Sequence, residues 1–476
     1  MRHSALREVT QRDRAEGTPR TDVRGVLGSL FPESEAPVPR APALRVLGAL
    51  VQILALGLGV ALLLLRVPGL PSWDGIYGED YWMFFPQALT QPWHLFITFG
   101  GYEELLPRVI AQIATYFPLG QVSRVFAVSG AFVAAASGLF VYHASAGHVR
   151  SRLLRAVLGA AVPLMPIALM EVVDSGTGAP WFLLPAAFWA LLWRPRTRSG
   201  MATAALVAFA AASSEVITVL FVPLVAARLY VLRRPREHAV TAGWLAGCLV
   251  QLPMVLSGFL AGKSRLNQQP GTLGHSLAFY AHEVVLPSFG WHLAWRLQSF
   301  AGRPEATVIA AIALTVIVGV IFATQPGNRA FVLTAVLAGF VFPVLATILT
   351  PKVAAYPVIL PDLESGSRYS ILPIFLFESV AVVGVDHLLR RRDNGERGPR
   401  RRWTSLPVAI AVAALVAVLA SSWVADFRYA GFRSEKNWNW APIAAQWQRD
   451  CAVSQSGEIA EKAATVHWIL PCNRLR

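Results

Sequence analysis

Three carboxylates stand among aromatic residues in Pro71-Ser72-Trp73-Asp74-Gly75-Ile76-Tyr77-Gly78-Glu79-Asp80-Tyr81-Trp82. Two more follow in Gly101-Tyr102-Glu103-Glu104-Leu105-Leu106-Pro107-Arg108. Far downstream, Gly366-Ser367-Arg368-Tyr369 adds a guanidinium after a Gly-Ser step that lets backbone approach a ligand. A carboxylate can take the proton of an attacking hydroxyl. A guanidinium can steady a departing phosphate through planar, multi-donor contacts. In one partly desolvated cleft the two suit transfer from a phosphate leaving group to a hydroxyl.

The elements that must hold such groups are written in the composition. Hydrophobic residues make up 55% of the 476 and charged residues only 15%. Apolar runs near 20 residues recur, each able to cross a hydrocarbon core of roughly 30 Å. This predicts an all-α fold, a polytopic integral membrane protein with about eleven transmembrane helices. The runs are Leu44 to Arg66, Val122 to His143, Leu153 to Val172, Ala179 to Trp193, Met201 to Ala212, Val216 to Tyr230, Val240 to Leu260, Thr307 to Ala323, Phe331 to Leu349, Ile371 to Leu389 and Leu406 to Val424. Residues 1–43 read as a polar, disordered cytoplasmic segment, 44–425 as the transmembrane domain, and 426–476 as a small extracytoplasmic C-terminal appendage.

The formal charge of +14 lies in short basic clusters between apolar runs, which points to topology and away from nucleic acid. Arg194-Pro195-Arg196-Thr197-Arg198, Arg233-Arg234-Pro235-Arg236, His148 to Arg155, Arg390 to Arg392 and Arg400 to Arg402 all fall on one side if the N-terminus is cytoplasmic and the C-terminus extracytoplasmic. The expected location is the plasma membrane, with outer loops 67–121, 261–305 and 350–370. Asp74, Glu79, Asp80, Glu103, Glu104, Glu171, Asp174, Glu215, Glu283, Asp362 and Glu364 then lie outside or at outer span ends. In that oxidising compartment the two tail cysteines, Cys451 and Cys472, are expected to form a disulfide. Trp438, Trp440 and Trp447 are expected to pack the tail onto the outer surface.

Other chemistries leave no trace. There is no phosphate-binding glycine run, no HExxH, no paired CxxC and no nucleophile elbow. The second outer loop carries Lys263, Arg265, His275, His282, Glu283 and Arg296, without three or four ligands at metal-like spacing. No cofactor is expected, and a divalent metal is not indicated.

The run Tyr77-Gly78-Glu79-Asp80-Tyr81, followed by Gly101-Tyr102-Glu103-Glu104-Leu105-Leu106-Pro107-Arg108, resembles the first outer loop of GT-C glycosyltransferases. Gly366-Ser367-Arg368-Tyr369 with Leu372-Pro373 resembles the Arg-Tyr-x-x-x-Pro opening of a late span in that superfamily, especially its uncharacterised actinobacterial branches. Where those branches carry asparagines before a His-Trp pair, this chain has Asp174-Ser175-Gly176-Thr177-Gly178 before Ala179-Pro180-Trp181.

The resemblance implies a membrane glycosyltransferase that moves a sugar, with inversion, from a polyprenyl-phosphate donor to an envelope glycan or lipid acceptor on the outer face. It implies Asp80 as the first-loop catalytic carboxylate, with Asp74 as the neighbouring candidate. Arg368 and Tyr369 would bind donor phosphate. Substrate contacts are expected from Glu79, Tyr102, Arg108, Glu171, Asp174, Lys263, Arg265 and His282. The expected partners are membrane lipid, donor and acceptor. Other readings are a transporter or flippase of lipid-linked precursors, or a non-catalytic scaffold that keeps the fold.

Overall fold

The computed structural model describes residues 23–33, 41–170, 172–262, 264, 270–350, 367–394, 401–428, 437–463 and 466–475. Helix dominates them, and strand is confined to two antiparallel pairs. Six helices are long and apolar enough to cross a membrane: Pro42–Leu64, Leu119–Gly147, Pro235–Leu260, Arg303–Thr324, Pro326–Leu349 and Ser367–Arg390. Shorter apolar helices lie at Leu105–Ala114, Ala179–Leu192, Val216–Val231 and Val412–Ala425. The chain is built as a helical membrane protein.

Proline and small residues decide where these helices break and meet. The run expected as one span from Leu153 to Val172 is instead the helix Arg152–Leu164, an extended Met165 and a tight turn at Pro166–Met170. The cause is Pro166, which pushes the residue before it out of the helical region. Arg66, buried where the first apolar run ends, donates to the carbonyls of Pro163 and Met165 at 2.6 and 3.2 Å. The helices Val122–Ala144 and Arg152–Leu164 cross at Gly138 and Gly159, where a Cβ on either would stand 2.4 or 2.7 Å from the other's carbonyl oxygen. Such backbone contact replaces the hydrophobic drive that lipid removes. The helix Pro42–Leu64 fully buries only Leu63 and packs Leu56, Val60 and Leu64 on the core, leaving most of its remaining surface exposed.

Two cores result. The larger runs through the helices. The smaller joins the first loop to the C-terminal tail, with Trp440 and Trp447 packed in it as expected. Strand β1 (Gly75–Tyr77) pairs with β2 (Asn437–Asn439), setting Ile76 opposite Trp438. Strands β3 (Glu458–Ala463) and β4 (Val466–Pro471) form a hairpin in the tail. A disulfide joins Cys451, on the helix Trp440–Val453, to Cys472 just after β4.

Candidate active site

The tail holds the first half of the first loop through backbone, side-chain and ring contacts. After β1 the chain enters a π-helix, Asp80–Phe84, that runs straight into the short helix Phe85–Thr90. Pro86 has no N–H to offer the carbonyl of Trp82 four residues earlier. The indole of Trp468 donates to that carbonyl instead, at 2.8 Å. The Tyr81 hydroxyl donates to Glu461 Oε1 at 2.9 Å, and Arg474 donates to the Leu89 carbonyl at 3.1 Å. Phe85 lies parallel to Trp447 with ring centres 6.4 Å apart, and Trp440 meets both rings edge-on.

Asp80 is fully buried. Its Oδ2 accepts from the Gly176 N–H at 2.8 Å, and its Oδ1 accepts from the Thr177 N–H at 2.9 Å and the Thr177 hydroxyl at 2.7 Å. These donors belong to the turn before the helix Ala179–Leu192, where backbone N–H groups and the helix dipole favour an anion. Gly176 is required there, since a Cβ would lie 2.8 Å from Phe126 and 3.0 Å from Asp80 Oδ1. A carboxylate committed to three donors in a dry site cannot reach a substrate hydroxyl. In this conformation Asp80, expected as the base, ties the loop to the start of the helix.

Asp174, expected to contact substrate, is placed in a similar way. It is buried, its Oδ2 accepts from the Ser72 hydroxyl at 2.7 Å, and its backbone takes the left-handed conformation at φ 55°. That makes it a second tie between first loop and turn, with no face open to an acceptor.

Tyr102 and Arg108 were expected to contact substrate, and both are buried. Arg108 donates to Gln87 Oε1 and the Ile97 carbonyl and pairs with Glu103 at 3.1 Å. The Glu103 carboxyl, 0% exposed, is pushed up to about 8 by burial, against the pull of Arg108 and with the help of Glu104. Gln251 of the helix Ala239–Leu260 grips the Glu103 backbone from both sides, and the Ser214 hydroxyl accepts from the Leu106 N–H. This polar knot docks the first loop on the helices rather than presenting groups to a ligand.

The accessible groups are others. Asp74 is half-buried, and its backbone is pinned by its N–H to the Pro71 carbonyl and by its carbonyl to the Trp440 N–H, each at 2.9 Å. Glu79 is also half-buried. The half-buried Arg368 guanidinium lies 5.9 Å from the centre of the Trp181 ring, and Tyr369 meets the same ring edge-on at 5.1 Å. Their turn, Ser367–Ser370, packs against Pro166–Met170 and against the π-helix Tyr280–Val285 of the second loop. His282 in that π-helix is half-buried with Nδ1 3.2 Å from Thr307 Oγ1, and burial, then Arg303, lowers its pKa. Glu171, Lys263 and Arg265 lie outside the described residues, as do Asp362 and Glu364. Among the described residues no group of three or more His, Cys, Asp or Glu is placed to hold a metal ion.

The segment 174–181 is thus where the candidates meet. Asp80 grips it at Gly176 and Thr177, Ser72 at Asp174, and Arg368 with Tyr369 at Trp181. The donors on this turn were missed as site residues, although Gly176-Thr177-Gly178 followed by Ala179-Pro180 carries the mark of a helix start, with proline in its first turn. Trp468 and Glu461 had no local signal at all. Compared with known proteins, the chain matches no family model and no curated protein sequence.

Proposed function

We propose that this protein is a GT-C-like membrane glycosyltransferase with about eleven spans, a cytoplasmic N-terminus and an extracytoplasmic C-terminus. It transfers a sugar from a polyprenyl-phosphate donor to an envelope glycan or lipid. One observation supports the reading: Asp80 and Ser72 of the loop that carries Asp74, and the Arg368–Tyr369 pair, distant in sequence, converge on the segment 174–181. Proton acceptor and phosphate partner belong together in such a transfer. Asp74 takes the proton, because it combines a fixed backbone with a half-exposed carboxyl. Arg368 holds the donor phosphate, with Trp181 stacked beneath it, and Asp80 positions the loop that carries Asp74.

The test begins with lipid extracts from a deletion strain, in which a lipid-linked sugar phosphate should accumulate. The parent gene should clear it. Asp74→Asn should clear it about 10²- to 10⁴-fold more slowly at normal protein level, whereas Asp80→Asn should act first on thermal stability. No accumulation, or full clearance by Asp74→Asn, overturns the reading.

A second reading, transport of a lipid-linked precursor, is favoured by Glu378 within the span Ser367–Arg390. It is 7% exposed, its Oε2 has no hydrogen-bond partner among the described residues, and it lines a cavity of about 10 Å³ beside Trp291 and Ser422, room for about one water. A carboxyl placed in an apolar span is expensive and marks function by default. Glu378→Gln should leave a transferase within a few-fold of the parent. Loss of clearance in Glu378→Gln with Asp74→Asn unaffected selects transport.

A further inference from the structure

The helix Trp291–Ala301 runs across the second loop and turns at Gly302, φ 85°, directly into the membrane helix Arg303–Thr324. Trp291 and Ala294 face the protein interior. The opposite side is bare: Leu293, Arg296 and Phe300 are exposed, and Phe300 is 91% exposed. Positions three and four apart on a helix share one face, so Arg296 stands between Leu293 and Phe300. Trp295 is also exposed, on the flank between that face and the buried side.

An aromatic side chain left so open would be costly in water. Gly302 alone separates this helix from Arg303–Thr324, which is long and apolar enough to cross a membrane and leaves Val308, Ile312, Val316 and Val320 exposed. That one-residue link names the occupant, because a helix end joined so closely to a span stands at the membrane boundary. Guanidinium between two apolar side chains is the composition of a helix lying at the headgroup boundary. The charges around it are Arg303 and Glu305 at the corner, with Arg303 turned toward the buried Glu283. Arg296 is therefore the cation free to face outward from this helix.

We propose that the Leu293–Arg296–Phe300 face is a lipid-binding surface. Leu293 and Phe300 enter the acyl boundary of one leaflet, and Arg296 holds the phosphate of an anionic phospholipid. The site would anchor the second loop, whose π-helix packs against the Arg368 turn, to the lipid composition of the membrane.

The experiment uses the full chain in nanodiscs of phosphatidylcholine, with or without phosphatidylglycerol. A nitroxide is attached at Phe300→Cys in a Cys248→Ser background, leaving the Cys451–Cys472 disulfide in place. The label replaces an exposed side chain, so folding is not at stake. We expect it to be more accessible to oxygen than to a water-soluble nickel chelate. Greater accessibility to the chelate, or dipolar broadening between labels of two copies, overturns the proposal. Phosphatidylglycerol retained on the parent protein in native mass spectrometry should fall about fivefold in Arg296→Gln. Equal retention overturns the phosphate assignment.

Discussion

Both long loops pass through a π-helix shortly before a proline, Asp80–Phe84 before Pro86 and Tyr280–Val285 before Pro287, yet they are covered by different parts of the protein. The first is roofed by the tail, which fills its freed carbonyl with Trp468 and its apolar face with Trp440 and Trp447. The second is covered by the helical core, which takes in Phe279, Val284, Val285, Leu286 and Trp291, while the helix that follows it leaves Phe300 exposed. The same local device, a proline that widens a helical turn, is thus closed by the tail in one loop and by the helical core in the other. In both an acid is sealed, Asp80 in the first and Glu283 in the second. The difference is at the far end of the second loop, where Phe300 has no such cover among the described residues.

The sharpest way to break this contrast is to remove one aromatic from the tail's cover and one from that far end. Trp447, 1% exposed and packed on Phe85, should cost about 3–5 kcal/mol when changed to Ala. Phe300→Ala should change stability in detergent by less than about 0.5 kcal/mol. Thermal unfolding of the two purified variants checks this, and equal losses would mean that Phe300 is covered by protein as well.

Next in size is the disulfide. It closes a loop of 21 residues within the tail, worth about 3 kcal/mol in the chain-entropy account. Reductant should speed proteolysis of the tail and first loop together, while cleavage in the second loop stays at its original rate. Equal acceleration of both would show that the tail supports the whole outer surface.

The smallest effect is electrostatic. Burial first, opposed by Arg108, raises Glu103 from 4.5 to about 8, and burial opposed by Arg303 does the same to Glu283. An acid with a raised folded pKa contributes stability that is complete below its unfolded pKa and is lost as pH rises through the folded one. Melting temperature should therefore fall from about pH 4.5 to beyond pH 8, on the shifts of both acids. Glu103→Gln and Glu283→Gln should each remove part of that fall. An unchanged profile in Glu103→Gln would mean that the Arg108 ion pair outweighs burial.

Much of the helical framework was legible in the sequence, because lipid imposes a simple rule on composition and length. The apolar runs at residues 44–66, 307–323 and 331–349 each became a long helix. The break at Ser213-Ser214-Glu215 is present between the helices Arg198–Ser214 and Val222–Val231. The run from Leu153 was misjudged because hydropathy does not register the stiffness of Pro166. At the candidate site the gap is of another kind. The residue types around Asp80, Asp74 and Arg368 could be picked out locally, but which acid is sealed and which is open depends on Thr177, Trp440 and Trp468. Those partners are set by tertiary packing alone.

The pairing of first loop with tail also fixes an order of events during synthesis. Tyr81 and its partner Glu461 are 380 residues apart. At about 5–20 residues per second, roughly 20 to 80 s pass before the second can meet the first. For that time Trp82 lacks the indole that donates to its carbonyl, Asp74 lacks the N–H of Trp440, and Phe85 has Phe126 but not Trp440 and Trp447. The helices can enter the membrane one after another while the first loop waits. A ribosome stalled short of the tail would leave an inserted protein whose Asp74 keeps its bond to Pro71 but lacks the Trp440 N–H, so the loop reaches its final shape only once the tail is made.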